Sequence, residues 1–301
     1  MSDARVVVLF PGALGDLCLL MPALRAVTER GLRVALSIRR VLVPLARVLH
    51  PALDLGPPLD GGPMASLFTA ALSPEVANWL TGARRMHAWL ARADGAGALA
   101  ARVAALGVSP ELHAVPRDED GPHASEEYAA ALGVVDLQGH FEAPAPVVHC
   151  SPYAWHAPMD LRLVLHPGSG GTTKIWDREG FLHVADGWRR RGGEVVVLLG
   201  PAEEHDADAW RRDGHEPVLG VSLLDAAALI ASAQRWIGND SGMSHLAGAL
   251  GRHGVVVFRA TRADRWRPRG GRLAVIECRD RATAVVARDA LAFLGTPTAA
   301  T

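Results

Sequence analysis

The sequence predicts an α/β protein made of two doubly wound parallel-sheet domains. Three observations carry that expectation. The chain has 301 residues, about twice a usual domain length of roughly 150. Short apolar runs alternate with helical segments in both halves, the pattern of strand–helix units around parallel sheets. Between Glu142 and Pro158 the prolines Pro144, Pro146, Pro152 and Pro158 break any helical period and mark a linker. The domains are therefore expected at 1–150 and 151–301.

The elements follow in order. Val6–Phe10 is a continuous apolar run ending at Pro11-Gly12, as suits a strand buried on both faces. Asp16 to Arg30 reads as a helix stopped by Gly31, and Pro22 inside it predicts a kink or restart. Arg33–Ile38 reads as a strand and Val41–Leu49 as a helix, after which Ala-rich helical segments run to about residue 133. In the second half Leu161–Leu165 is a strand, Arg178–Arg191 a helix closed by Gly192-Gly193, and Val195–Leu199 a strand. Ser222 with Asp225 resembles a capping box opening the helix Leu223–Ala231. Arg235–Gly238, Ser241–Leu250 and Val255–Phe258 then read as strand, helix and strand.

Composition excludes several classes. Hydrophobic residues are 49% and charged residues 21% of the chain, and 31 Lys+Arg against 32 Asp+Glu leave a net charge of −1. Such a chain, with a pI near 6.9, is no dedicated nucleic-acid binder. Cys18, Cys150 and Cys278 form no CxxC pair, so no zinc knuckle or disulfide framework is indicated, and each reads as a small buried hydrophobe. Asp3 precedes the first apolar stretch and Pro11 and Asp16 break it, so neither a signal peptide nor a membrane span is expected. The expectation is a soluble, cytoplasmic chain. One detail stands out: 30 of the 31 cations are Arg, and the single Lys is Lys174.

Four stretches carry chemistry. Pro11-Gly12-Ala13-Leu14-Gly15-Asp16 joins a strand to a helix, where glycines admit close backbone approach and helix N–H groups are unpaired. It lacks the GxGxxG spacing and the Lys-Ser/Thr of a P-loop. Asp16 there either complements the helix dipole or serves as a general base in a cleft. His166-Pro-Gly-Ser-Gly-Gly-Thr-Thr-Lys174 combines backbone N–H groups, hydroxyls and a point charge, which suits a phosphate. The alternative is a surface turn with a solvated Lys, but an Arg-biased chain that spares one Lys in this loop favours the phosphate. Asp240-Ser241-Gly242-Met243-Ser244-His245 opens a helix whose first N–H groups can hold an anion, with His245 either nearby or structural. Gly200-Pro-Ala-Glu203-Glu204 sets a carboxylate past a strand end, within reach of ribose hydroxyls or simply at a helix start.

Together these sites resemble glycosyltransferase family 9, the bacterial heptosyltransferases of lipopolysaccharide inner-core assembly. The residues that carry the likeness are Gly15-Asp16 with Pro22-Ala23, His166-Pro167-Gly168-Ser169 with Lys174 and Trp176, Gly200-Pro201-Ala202-Glu203, and Gly238-Asn239-Asp240-Ser241-Gly242 with His245-Leu246-Ala247. The resemblance implies a GT-B fold, two Rossmann-like domains facing a central cleft, with the nucleotide sugar on the C-terminal one. It implies an ADP-heptose-type donor, an inverting single displacement, no metal requirement and no separate cofactor. Carried to this chain, Asp16 is the general base. Gly12 and Gly15 shape the acceptor-side loop. Lys174, Ser169, Gly170 and the backbone at Ser241, Gly242 and Met243 hold the pyrophosphate, Lys174 also meeting the leaving-group charge. Glu203 (or Glu204) binds the ribose, and Asp240 and His245 shape the helix end.

Two departures bear on partners. From Arg259 to Arg272 there are six Arg and one acid, Asp264, which is either a solvated run or a basic rim contacting phosphates. Residues 1–150 hold 12 Arg against 15 Asp+Glu, a poor match for a heavily phosphorylated acceptor. The expected acceptor is a hydroxyl-bearing glycan, lipid-linked core or natural product. The expected enzyme is a monomer without a transmembrane segment, with peripheral membrane contact left open. The rival readings are a nucleotide-sugar 2-epimerase of GT-B fold and a non-catalytic nucleotide-sugar binder.

Overall fold

A computed structural model describes residues 5–143 and 159–296. The expected boundary at residue 150, and Cys150 with it, fall outside the described residues. The chain divides into two compact units, the first running to Asp118 and resuming over Ala124–His140, the second comprising Glu119–His123 and the chain from Phe141.

In the first unit β1 (Arg5–Leu9), α1 (Leu14–Glu29), β2 (Arg33–Ser37), α2 (Val43–Leu49), β3 (Asp54–Leu55), α3 (Pro74–Leu80), β4 (Ala83–Ala88), α4 (Ala96–Ala105), β5 (Ser109–Leu112) and α5 (Ala124–Ala131) follow one another. The strands form one parallel sheet in the order β3-β2-β1-β4-β5. One core beneath it gathers Val7, Leu9, Met86, Ala88, Leu99 and Val103. Both β4 and β5 lie where the sequence reads as helical. Their residues Ala83-Arg-Arg-Met-His-Ala88 and Ser109-Pro-Glu-Leu112 are short and polar on one face, so the alternation that marks them is weak. Pro110 is tolerated because β5 is an edge strand.

Helix α1 also differs from expectation: it runs unbroken through Pro22. Proline there removes one i→i−4 hydrogen bond. The residues from Leu17 to Val27 are all buried, and that packing outweighs the single lost bond. Cys18 lies on this helix, and burial pushes its thiol up to about 12, as an inert core residue requires. Cys278 is likewise buried, with its thiol raised by burial.

The second unit contains β6 (Met159–His166), α6 (Arg178–Arg190), β7 (Glu194–Leu198), α7 (Ala207–Arg212), β8 (Pro217–Val218), α8 (Leu223–Ser232), β9 (Ala233–Asn239), α9 (Gly242–Ala249), β10 (His253–Phe258), α10 (Ala263–Trp266), β11 (Arg272–Glu277) and α11 (Thr283–Leu294). Its parallel sheet has the order β11-β10-β9-β6-β7-β8, the doubly wound order with its reversal between β6 and β9. Trp176, Phe181, Trp188 and Trp210 pack with Val197, Ile237 and Val257 in its core. Strand β11 is a further element that the sequence reading did not separate from its Arg-rich flank.

The segment Glu119–His123 is bound to the second unit by the Arg-rich run. Arg262 pairs with Asp120 at 3.2 Å and with Asp264. Trp266 Nε1 donates to Glu119 at 3.1 Å, the buried Arg265 donates to the Pro122 carbonyl, and the His123 ring hydrogen-bonds the Arg267 carbonyl at 2.8 Å. Part of the Arg259–Arg272 run, open from sequence between a solvated run and a basic rim, is thus occupied in holding this segment.

Two buried histidines are expected to make the fold less stable in acid. Burial, reinforced by Arg25, lowers the His50 pKa to about 4, and burial with Arg269 nearby lowers that of His123 to about 3. Both lie below the ordinary value near 6.5, so between those limits the unfolded chain binds protons that the folded chain does not. The associated stability is fully present at neutral pH and is lost as pH falls through that window. Urea unfolding midpoints are expected to fall between about pH 7 and about pH 4.5, and His50→Gln should flatten the part due to His50.

Candidate functional site

Open parallel sheets bind ligands beyond the carboxyl ends of strands on either side of the reversal in strand order. In the second unit those strands are β6 and β9, and each ends in one of the loops singled out from sequence.

Asn239 closes β9 and is fully buried. Its Nδ2 donates to the Pro167 carbonyl at 2.6 Å, and its Oδ1 accepts from the Trp176 N–H at 3.0 Å, so one amide grips both ends of the His166–Lys174 loop. His166 anchors the loop's start to the Leu198 carbonyl at 2.9 Å, and burial lowers its pKa. Ser169 Oγ donates its one proton to the Asp240 carbonyl at 2.7 Å, which ties the two loops together and leaves the hydroxyl oxygen as an acceptor. The space beside Gly170 and Gly171 is open.

Asp240 is the hub. Its side chain is 3% exposed and accepts on Oδ2 from Lys174 Nζ at 2.8 Å and from Thr261 Oγ1 at 2.6 Å. His245 Nε2 lies 3.9 Å from Oδ1. Lys174 ends a 3-10 turn over Thr172–Lys174 and keeps 34% of its side chain exposed. An ammonium has three donors, so the pair with Asp240 leaves capacity for a second anion. Directly after Asp240, Ser241 caps α9 by accepting from Ser244 N–H, and Gly242 and Met243 form the half-buried first turn. The positive end of α9 and Lys174 therefore meet at Asp240.

Glu203 and Glu204 part company. Glu203 is half-buried, accepts from Gly200 N–H at 3.1 Å, and lies on Gly168 so closely that a Cβ there would stand 2.3 Å from its carboxyl carbon. Glu204 is exposed in the following 3-10 turn. The loop brings in Glu203 alone. Arg259 takes another course from Arg262 and Arg265: it pairs with Asp177 at 3.1 Å and, with Thr173, Arg279 and Arg281, lines a polar cavity of about 500 Å³ beside the Lys174 loop.

In the first unit the reversal lies between β1 and β4. Asp16, in the first turn of α1, accepts on Oδ2 from Ala13 N–H at 3.0 Å, the helix-terminus role anticipated as one of its two readings. Its Oδ1 accepts from Tyr128 Oη at 3.0 Å. Tyr128, on α5, is fully buried and packs edge-on to Phe10 and Trp89. Gly12 permits this approach, since a Cβ there would fall 2.4 Å from the Phe10 ring and 2.7 Å from Asp16 Cβ. Gly15 is half-buried in the same turn.

The family model described as Glycosyltransferase family 9 (heptosyltransferase) matches residues 137–290, just over half of the chain. The chain belongs to glycosyltransferase family 9. Lipopolysaccharide heptosyltransferase 3 of Escherichia coli (strain K12) is 31% identical over 116 residues, which are 36% of this chain and 34% of that relative, so the match spans about a third of its length. A family 9 glycosyl transferase from Veillonella parvula DSM 2008 superposes with a TM-score of 0.74 at 20% identity, covering 96% of this chain and 91% of that one. E. coli ADP-heptose lps heptosyltransferase II gives 0.70 at 16% identity over 97% and 98%, and E. coli heptosyltransferase WaaC with ADP gives 0.63 at 18% over 91% and 93%. These likenesses carry the fold, and the family 9 chain has the two parallel-sheet domains of a GT-B protein. Among the described residues, no helix is long and apolar enough to cross a membrane.

Tyr128, Asn239 and Thr261, which contact the candidate residues, were not singled out from sequence. Asn239 stood inside a quoted motif, and Tyr128 is one of only two tyrosines, yet neither contact is local in sequence.

Proposed function

We propose that this family 9 chain is an inverting glycosyltransferase, moving a heptose-type sugar from an ADP-linked donor to an acceptor hydroxyl. The observation that carries the reading is the Lys174–Asp240 pair at the start of α9, on the reversal of the second sheet. A fixed ammonium beside a helix N-terminus is suited to a diphosphate and to the negative charge that a leaving nucleotide develops. Glu203, held against Gly168, suits the ribose hydroxyls. The structural neighbour WaaC has been seen with ADP and with ADP-2-deoxy-2-fluoro heptose, which agrees with an adenine diphosphate as donor head.

In this reaction the acceptor oxygen attacks the anomeric carbon while its proton passes to the Asp16 carboxylate. The bond from that carbon to the β-phosphate oxygen breaks, and ADP leaves with the electron pair. A single displacement inverts the anomeric centre. Lys174 and the α9 N-terminus meet the charge on ADP. Tyr128 is a positioning residue for Asp16: Tyr128→Phe is expected to lower kcat about tenfold with donor KM unchanged, since one hydrogen bond to a charged group contributes about 1.5–3 kcal/mol. A fall in KM or stability alone would remove that role.

The reading is tested by supplying an ADP-heptose donor with a series of hydroxyl acceptors (neutral glycans, phosphorylated core, small natural products) and following ADP release and product anomeric configuration by NMR. Acceptor-dependent ADP release with inversion is the expected result. A sugar epimerised without an acceptor would make the chain an epimerase, and binding without any turnover would make it a non-catalytic binder.

A further inference from the structure

A second cluster of chemically capable side chains lies on the first sheet, away from the donor loops. Strands β4 and β5 run parallel with His87 directly opposite Glu111. The ladder continues past β5, where His113 N–H donates to the Ala88 carbonyl at 2.8 Å and Ala91 N–H to the His113 carbonyl at 3.0 Å. Two-residue alternation then puts Glu111 and His113 on one face beside His87. His87 Nδ1 lies 3.1 Å from His113 Nε2 and 3.6 Å from Glu111 Oε2, and one ligand atom of each of the three residues falls within 4.8 Å of the others.

A histidine pair joined by one hydrogen bond accounts for only part of this. With its proton on Nδ1, His87 has one N–H to share between the imidazole at 3.1 Å and the carboxylate at 3.6 Å, and without it an Nδ1 lone pair faces the carboxylate. A metal ion among the three satisfies all of them. With bonds of about 2.0–2.1 Å, tetrahedral Zn²⁺ holds neighbouring donors about 3.3 Å apart, close to both separations from His87. Two of the three also have a hydrogen-bonded outer partner of the kind ligands normally have, and the third has a packing neighbour. Glu111 Oε1 accepts from Arg85 Nη1 at 3.1 Å, leaving Oε2 for the ion. The His87 ring hydrogen-bonds the Ala131 backbone, and His113 packs on Trp89 with ring centroids 4.9 Å apart. His87 is buried while Glu111 and His113 are half-buried, which gives an ion a way in.

We propose that His87, Glu111 and His113 form a site for one divalent transition-metal ion, with Zn²⁺ the ion the ligand set suits best and water completing the shell. The site ties the edge strand β5, held by a single ladder, to β4. It also fixes Trp89, which packs in turn on Phe10 and Tyr128. The inference is independent of the glycosyl-transfer reading, whose displacement runs through Asp16 and Lys174.

The test uses the full chain after chelation, with Co²⁺ as a visible stand-in and Zn²⁺ as competitor. One Co²⁺ per chain should bind with the intense visible absorption of tetrahedral coordination, and one equivalent of Zn²⁺ should displace it. His113→Gln and Glu111→Gln, both at half-buried positions and checked for folding by circular dichroism, should each weaken binding at least about tenfold. Zn²⁺ should raise the melting temperature of the parent chain and not of these variants. Absence of the tetrahedral spectrum in the parent chain, or binding undiminished in both variants, would overturn the proposal.

Discussion

Asp16→Asn is expected to lower kcat by about a hundred- to ten-thousandfold, the range over which a positioned base contributes, while ADP affinity stays within about twofold. The substitution is nearly isosteric. It preserves an oxygen to accept from Ala13 N–H or from Tyr128 Oη, the two bonds that hold the carboxylate, so the turn at Gly12 and the start of α1 should survive. What it removes is the capacity to take a proton. Separate measurement of kcat and of ADP binding by calorimetry tells the roles apart. Unchanged turnover would leave Asp16 as a helix-terminus residue only, and lost affinity would place its effect on the donor.

Lys174→Ala acts on the other partner. Removing the ammonium is expected to weaken ADP binding about ten- to a hundredfold and to lower kcat about a hundred- to a thousandfold, as loss of one group that meets transition-state charge does. A stability cost accompanies it, because Asp240 is 3% exposed and loses its cation. Breaking a fully buried pair costs about 3–5 kcal/mol, but a third of Lys174 is exposed and Thr261 still donates to the same oxygen, so about 1–2 kcal/mol is expected here. Lys174→Arg should restore the charge without restoring full turnover, since a planar fork does not occupy the place of a compact ammonium. Unaltered ADP affinity in the alanine variant would remove Lys174 from the phosphate site.

The loops at strand ends were legible because their chemistry is local. Gly, Ser and Thr after β6, and Asp-Ser-Gly before α9, declare close backbone approach and a helix N-terminus within a few residues. The lone Lys174 stood out against 30 arginines, and the structure gives it a buried aspartate as partner. Strands β4, β5 and β11 were not legible. Arg84-Arg85 and His87 in β4 and Pro110 in β5 hide a two-residue alternation amid Ala-rich sequence, and the same misreading hid the His87–Glu111–His113 face. Pro22 misled in the opposite sense, because a helix buried along one turn after another tolerates a missing bond that an exposed one would not. Tyr128 donating to Asp16 and Asn239 bridging Pro167 and Trp176 join residues far apart in sequence. Only the folded sheet brings them together. The Arg259–Arg272 run also needed the structure, which gives Arg262 and Arg265 to the 119–123 segment and Arg259 to a polar cavity.

The donor site proposed around Lys174, Asp240 and the start of α9 is one built for an adenine diphosphate sugar. Thermal unfolding of the full chain against ADP-, UDP- and GDP-linked sugars checks this, since a ligand present at about a hundred times its Kd raises apparent stability by about 2.7 kcal/mol. The expected result is a clear rise in melting temperature with ADP-sugars, little with UDP- or GDP-sugars, and loss of the rise in Lys174→Ala. A preference for UDP-sugars, or a rise that Lys174→Ala retains in full, would contradict it.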